Sequence, residues 1–402
     1  MLRKTIYLLT GTSMAKLIPI VAGYIVSMQL GSESYGFLIT FFLFSNVISN
    51  FSILGCSPQI ISLDNQHHLA KLKYLRVICV GLFFLVCASL IGSILTSFDL
   101  IKIKSSIIHF LFPSIVYSIG MFFVYTSTSR LNNMLENNLA SLVWLLYSLL
   151  SMLVIALFGV LYMNLIPLFY SIAVSSLITG FFGVYLSLQK HNSYSDFDCV
   201  YIFNLLDMKN VIIKAILLSF FGISIVGCFF YLQNGLLAID DDQGAYFSLL
   251  YQVFAFTIFI PTVIGNILVP RMLGNSRPKM SIYIYYMLIT SVIVFPILIY
   301  NTELANLYGI DAKVISFNDI VVFYLLSIIA GINSYSTQVL VASMDFVLLA
   351  ASSLIWVVVT VTYLNIYGFD LSNVLNGLLL SYTVSGVLLI GYIFNRGNEL
   401  DE

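Results

Sequence analysis

IYLLTGTSMAKLIPIVAGYIVSMQLGSESYGFLITFFLFSNVISNFSILGCS, residues 6–57, consists of two long apolar runs joined by a short polar turn. At about 1.5 Å per helical residue, the runs 6–30 and 35–57 can each cross a hydrocarbon core of roughly 30 Å. Lipid offers no partner for a backbone N–H or C=O, so each run must satisfy its own backbone as a helix. The pattern recurs at 75–97, 106–126, 139–160 and 164–188. After the polar stretch 189–210 it resumes at 211–238, 244–269, 281–300, 317–343, 346–367 and 372–394. The expected fold is therefore an all-α integral membrane protein of about 12 transmembrane helices.

Composition agrees. Of 402 residues, 60% are hydrophobic and 9% charged, with mean hydropathy +1.01, where soluble domains carry about a quarter charged residues. A net charge of −1 gives no basic surface for nucleic acid. The five cysteines (Cys56, Cys79, Cys87, Cys199 and Cys228) lack CxxC spacing, and no HExxH or glycine-rich phosphate loop is present. No metal or cofactor is expected, and without a Walker motif the chain does not hydrolyse ATP itself.

The charges orient the chain. With both termini cytoplasmic, 13 of the 17 Lys/Arg lie on that side, and only Lys102, Lys104 and Lys313 lie outside. Lys16 falls within the first helix. The acidic residues divide evenly, nine to each face, so the bias is the Lys/Arg asymmetry that sets topology. The long cytoplasmic connection divides the chain into two lobes, 1–188 and 211–402, joined by a linker at 189–210. Two six-helix lobes of like orientation around a central cavity are expected, N-in and C-in.

Lys16 is the most informative residue. It lies ten positions into the first run, roughly 15 Å deep. A lysine there costs about 2.5–3.5 kcal/mol, and residues kept at that cost usually face a polar cavity. Pro19 lies close by, with Gly11 and Gly23 flanking, which suits a bent helix. Lys214 and Arg76 begin helices at the cytoplasmic boundary, where they either anchor topology or receive an anionic headgroup. Arg130 and Arg271 read as topology charges. Gln29, Asn46, Asn50, Gln252, Asn266, Asn333 and Gln338 are amides within apolar runs, suited equally to joining helices and to lining a hydrated cavity. Asp240, Asp241 and Asp242 read as a solvated external loop. Asp319, Asp345 and Glu136 map to helix ends.

The stretch Gln29 to Ile61 resembles the opening of the polysaccharide-exporter branch of the MOP superfamily. The family's LG-x-x-x-YG and later LG fall here on Leu30–Gly31, Tyr35–Gly36 and Leu54–Gly55. Lys16 occupies the place of the family's basic residue in the first helix, and Gly244, Tyr246, Pro261 and Pro270 match its G-x-Y…P…P pattern. The resemblance implies a Wzx-type flippase in the bacterial inner membrane. Such a protein moves undecaprenyl-pyrophosphate-linked O-antigen repeat units by alternating access. It implies a lipid-linked oligosaccharide as substrate, among membrane lipids, with polymerase and chain-length proteins of the same pathway as partners. Lys16 is then the candidate for the pyrophosphate, aided by Lys214 and Arg76, with Asn46, Asn50 and Gln338 as candidate sugar contacts. The rivals are a multidrug or cation antiporter of the same superfamily and a membrane polysaccharide polymerase. The former tends to bury a carboxylate in the first helix, where this chain has Lys16. The latter needs a substantial external loop, whereas the longest here is approximately 301–316.

The charge asymmetry makes a direct prediction. In a cysteine-free background, single cysteines at Ser97, Asp241 and Asn373 will react from outside intact cells with an impermeant thiol reagent. Cysteines at Asn65 and Ser195 will not. Labelling at Ser195 overturns the orientation.

Overall fold

The computed structural model describes residues 2–61, 70–97, 107–134, 136–161, 164–189, 205–272, 279–311, 316–343 and 345–399. Among them every regular element is an α-helix. These are α1 (Leu2–Ile61), α2 (Ala70–Ser97), α3 (Ile107–Asn133), α4 (Asn137–Leu161), α5 (Leu165–Gln189) and α6 (Leu205–Ile239). They continue as α7 (Asp241–Met272), α8 (Met280–Leu307), α9 (Phe317–Ala342), α10 (Phe346–Tyr367) and α11 (Leu371–Glu399). The 11 helices are all long and apolar enough to span a membrane. The first, of 60 residues, is two helices merged across Gly31, whose φ of 86° is left-handed. Only glycine takes that conformation without strain, so the chain can turn back there. Counting both halves of α1 gives the twelve crossings expected.

By contact the chain forms two compact units, Met1–Ile18 with Phe41–Val226, and Pro19–Thr40 with Gly227–Glu402. This division differs from the expected lobes 1–188 and 211–402 in two places, and most of the expected linker, 190–204, lies outside the described residues. The start of α6 belongs with the first unit. Gln59 Nε2 donates to the Val211 carbonyl at 3.2 Å, and the Ser219 hydroxyl donates to the Phe51 carbonyl. Residues 19–40 belong with the second unit. There Gln252 Nε2 donates to the Pro19 carbonyl at 3.3 Å, the Tyr308 hydroxyl to the Ile20 carbonyl at 3.2 Å, and the Ser32 hydroxyl to Asp242 at 3.3 Å.

In the first unit α3 and α5 approach so closely that small residues are required. A Cβ on Gly120 would lie 2.5 Å from the Leu177 backbone nitrogen, and one on Gly180 would lie 2.6 Å from the Gly120 carbonyl oxygen. Such contact brings backbones together where lipid gives no hydrophobic drive for association. Tyr117 and Tyr147 share a hydrogen bond of 3.1 Å between α3 and α4, and Ser118 reaches the Ser45 carbonyl at 2.8 Å. The expectation that Arg130 is a topology charge is corrected here. It is 1% exposed, at the C-terminal turn of α3, with its guanidinium 5.7 Å from the Tyr74 ring centre and Nη1 donating to Asn133 at 2.9 Å. A cation at a helix C-terminus complements the helix dipole. Tyr74 shares a 3.1 Å hydrogen bond with Ser187, so Arg130 ties α3 to α2 and α5.

In the second unit Asp319 is the counterpart. It is 5% exposed and completes a capping box with Ser316, accepting from that residue's N–H at 3.1 Å and its hydroxyl at 2.6 Å. Its other oxygen accepts from Ser372, in the first turn of α11, at 2.6 Å. The N-termini of α9 and α11 thus converge on one carboxylate, whose negative charge suits their partial positive charges. An aromatic cluster of Phe229, Phe254, Trp356 and Tyr382 fills the interior of this unit.

Two glycines make the packing testable. Gly120→Ala will lower the melting temperature of the detergent-solubilised protein, at a cost of about 1–3 kcal/mol from overpacking. Gly391→Ala, where a Cβ meets nothing within 4 Å, will not.

Candidate functional site

In hydrocarbon a hydroxyl without a partner is costly, and many of the described serines and threonines find one on their own helix. Thr40, Ser89, Ser114, Thr126, Ser148 and Ser248 each donate to the carbonyl four residues back. Such side chains are satisfied without any neighbour and carry no site. The candidates for a site are polar groups that their own helix does not serve.

Lys16 is one. The first half of α1 packs against α4 at Gly11, where an added Cβ would lie 2.6 Å from the Ser141 carbonyl oxygen. Gly11, Ala15 and Ile18 form the buried face, and Lys16 sits at its flank, half-buried. It has no hydrogen bond or ion pair with any described residue. From Leu2 to Gly31 the helix contains no carboxylate to neutralise it.

Asn46 and Asn50, on the second half of α1, belong to the same unit. Four residues apart, they share one helix face, and both are half-buried. Neither side-chain amide bonds to a described residue, although the Asn46 carbonyl accepts from Ser49 at 3.3 Å. Lys16, Asn46 and Asn50 therefore give the first unit one ammonium and two amides with no bond to a described residue.

The other expected candidates divide. Gln338, 7% exposed, is already engaged inside the second unit. Its Nε2 donates to the Pro261 carbonyl at 2.8 Å and to Ser334 at 3.4 Å, and its Oε1 accepts from Tyr286 at 2.8 Å. Both donor hydrogens are occupied, so its geometry is that of a clamp between helices. Asn333 likewise donates to the Tyr382 carbonyl at 2.8 Å, and Gln252 holds Pro19. Arg76 is buried on α2, while Lys214 is exposed on α6 without a partner among the described residues. The side chains of Asn266 and Arg271 lie outside the described ones. The acidic run is more than a solvated loop: Asp240 accepts from the Asp242 N–H at 2.8 Å and caps α7. An Asp just before an apolar run is a start signal readable in the sequence. Among the described residues no group of three or more His, Cys, Asp or Glu is placed to hold a metal ion.

No protein-family model and no curated protein sequence matches the chain. Solved structures do. A MATE in complex with MaD3S gives a TM-score of 0.75 at 16% identity, with 100% of this chain and 96% of that one covered. The outward-facing conformation of a multidrug resistance MATE family transporter of the MOP superfamily gives 0.73 at 15% identity, with the same coverage. A MOP superfamily transporter from Pyrococcus furiosus gives 0.70 at 16% identity, again with 100% and 96% covered. The chain has the fold of MATE transporters of the MOP superfamily. The superfamily fold inferred from Leu30–Gly31 and Tyr35–Gly36 is thus the fold observed, end to end.

The contrast between satisfied and unsatisfied amides is open to measurement. Gln338→Leu will strand the Tyr286 hydroxyl and lower the melting temperature, by about 1–3 kcal/mol of stability. Asn46→Ala and Asn50→Ala will leave melting within about 0.5 kcal/mol of wild type. Equal destabilisation by all three substitutions contradicts the division.

Proposed function

We propose that this protein is a flippase that carries an anionic, lipid-linked oligosaccharide across the bacterial inner membrane by alternating access. The fold is that of a multi-pass transporter, and the choice of substrate class rests on one observation. The only charge between Leu2–Arg3–Lys4 and Glu33 is Lys16, half-buried and without a counter-ion among the described residues. A lone cation at that depth attracts an anion and repels a cation. A diphosphate joining an undecaprenyl chain to a hydrated glycan cannot cross lipid unaided. It needs positive charge for the phosphates and hydrogen-bonding groups for the sugar hydroxyls. Lys16 supplies the first, and the Asn46 and Asn50 amides supply the second. An O-antigen repeat unit is the substrate the sequence resemblance favours, with Lys214 and Arg76 assisting the phosphates.

The second reading is a multidrug or cation antiporter, favoured by the neighbours described as multidrug transporters. Antiporters of that type tend to carry a carboxylate in the helix where this chain has Lys16. The Pyrococcus furiosus neighbour is described as having a binding pocket of reverse polarity that suggests a different function. Pocket polarity is therefore a property that varies on this fold.

Deletion separates the readings. A flippase deletion will trap undecaprenyl-linked single units on the cytoplasmic leaflet and abolish surface polymer, with drug sensitivity unchanged. Loss of drug resistance with surface polymer intact would establish the antiporter. Lys16→Ala will abolish transport at normal protein level, and Lys16→Arg will retain part of it because the charge survives. Wild-type transport by Lys16→Ala would remove Lys16 from the site.

A further inference from the structure

We propose that Ser13 completes the anion site at Lys16, its hydroxyl donating to a phosphate oxygen of the substrate while the ammonium neutralises the charge. This rests on the flippase reading and names a further binding residue of that same site. Ser13 stands three positions before Lys16 on α1, within the first unit. Side chains at that spacing are neighbours on a helix, with Cβ atoms about 5–6 Å apart, so one phosphate can meet both.

Helix geometry sets Ser13 away from the seam that holds this part of α1. Gly11 packs against Ser141 of α4, and Ala15 and Ile18 continue the buried face. Ser13 is two positions from both Gly11 and Ala15, so at about 100° per residue it points nearly opposite them. Like Lys16, it is half-buried.

The state of its hydroxyl is what distinguishes Ser13. Ser89, Ser114 and Ser148 each donate to the carbonyl four residues back, which satisfies a hydroxyl in an apolar helix. Ser13 makes no hydrogen bond with any described residue, those of its own helix included. Ser45 and Ser57 of the same unit are also unbonded, but their hydroxyls are enclosed. Ser13 instead stands half-buried beside a cation that likewise has no described partner. An ammonium and a hydroxyl side by side serve an anion in complementary ways. The first supplies charge through rotatable donors, and the second adds one directed donor, whose bond to an ionised oxygen is short and strong. A cation approaching the lone pairs of the hydroxyl would be repelled by the ammonium.

The test is calorimetric titration of full-length protein in detergent with farnesyl diphosphate. Ser13→Ala will weaken binding about tenfold at unchanged melting temperature, and Ser13→Thr, which keeps the hydroxyl, will stay within about threefold. Ser13→Cys, close to serine in size but a weak donor, will lose affinity as Ser13→Ala does, and serves should the alanine variant fold poorly. In the Lys16→Ala background the Ser13→Ala loss will shrink to about threefold or less, because both groups act on one anion. Wild-type affinity in well-folded Ser13→Ala or Ser13→Cys overturns the proposal. So does an equal loss with and without Lys16, which would put Ser13 in a separate site. If Lys16→Ala weakens binding and Ser13→Ala does not, Ser13 alone is rejected and the flippase reading stands. Full affinity in Lys16→Ala, or no binding by the wild type, counts against that reading as well.

Discussion

A polar group in hydrocarbon must carry its own partner or be supplied with one, and the rest of this structure follows from that constraint. In runs of this length it is met by helices, and it sends serine and threonine hydroxyls back onto the carbonyl four residues earlier. It also explains the long-range bonds that assemble each unit. Tyr117 with Tyr147, Ser118 with Ser45, and Gln338 with Tyr286 and Pro261 are all polar groups meeting where lipid would leave each stranded. Apolar burial contributes little to choosing between neighbours here, because lipid tails and side chains are alike. Small residues at Gly120 and Gly180 and satisfied hydrogen bonds select the helix pairs instead.

Charges obey the same rule more strictly. Arg130 is buried over Tyr74 and bonded to Asn133 at the C-terminal end of α3, where the helix dipole favours a cation. Asp319 receives hydrogen bonds from Ser316 and Ser372 where the N-termini of α9 and α11 meet. Each sits at the helix end whose partial charge suits its sign, and each joins elements distant in sequence. These are structural charges, and their environments show it.

The fold was almost wholly legible, because the length and spacing of apolar runs answer to the thickness of a bilayer. The break between the runs 6–30 and 35–57 was legible, and the structure places the left-handed turn within it at Gly31. The composition of the units was not legible. Pro19–Thr40 joins the second unit through Gln252, Tyr308 and Asp242, contacts spanning more than 200 residues that no local pattern encodes. The candidate site was legible only by residue type. Asn50 and Gln338 are both amides in apolar helices, and sequence gave no means of separating them. What separates them is whether neighbouring helices bring a carbonyl and a hydroxyl within reach, as Pro261 and Tyr286 do for Gln338. Arg130 was misread for the same reason: the ring of Tyr74 that receives it lies on another helix.

Lys16 differs from Arg130 and Asp319 in a way that bears on function. It lies within an apolar run of the first helix, and no carboxylate, aromatic face or carbonyl among the described residues compensates it. A charge buried for stability is poorly placed without a partner, since the desolvation cost is then met by nothing in the protein. Such a charge is tolerable if water reaches it in the empty state and an anion replaces that water in the loaded state. The amides of Asn46 and Asn50 meet the same condition, half-buried and unbonded to any described residue, while the hydroxyls of Ser49 and Ser52 donate within their own helix. Under the proposed function the partner of these three groups is the substrate, negative where it meets Lys16 and rich in hydroxyls where it meets the amides. A glycan carried on a lipid diphosphate has both properties in one molecule, whereas a lipophilic cation has neither.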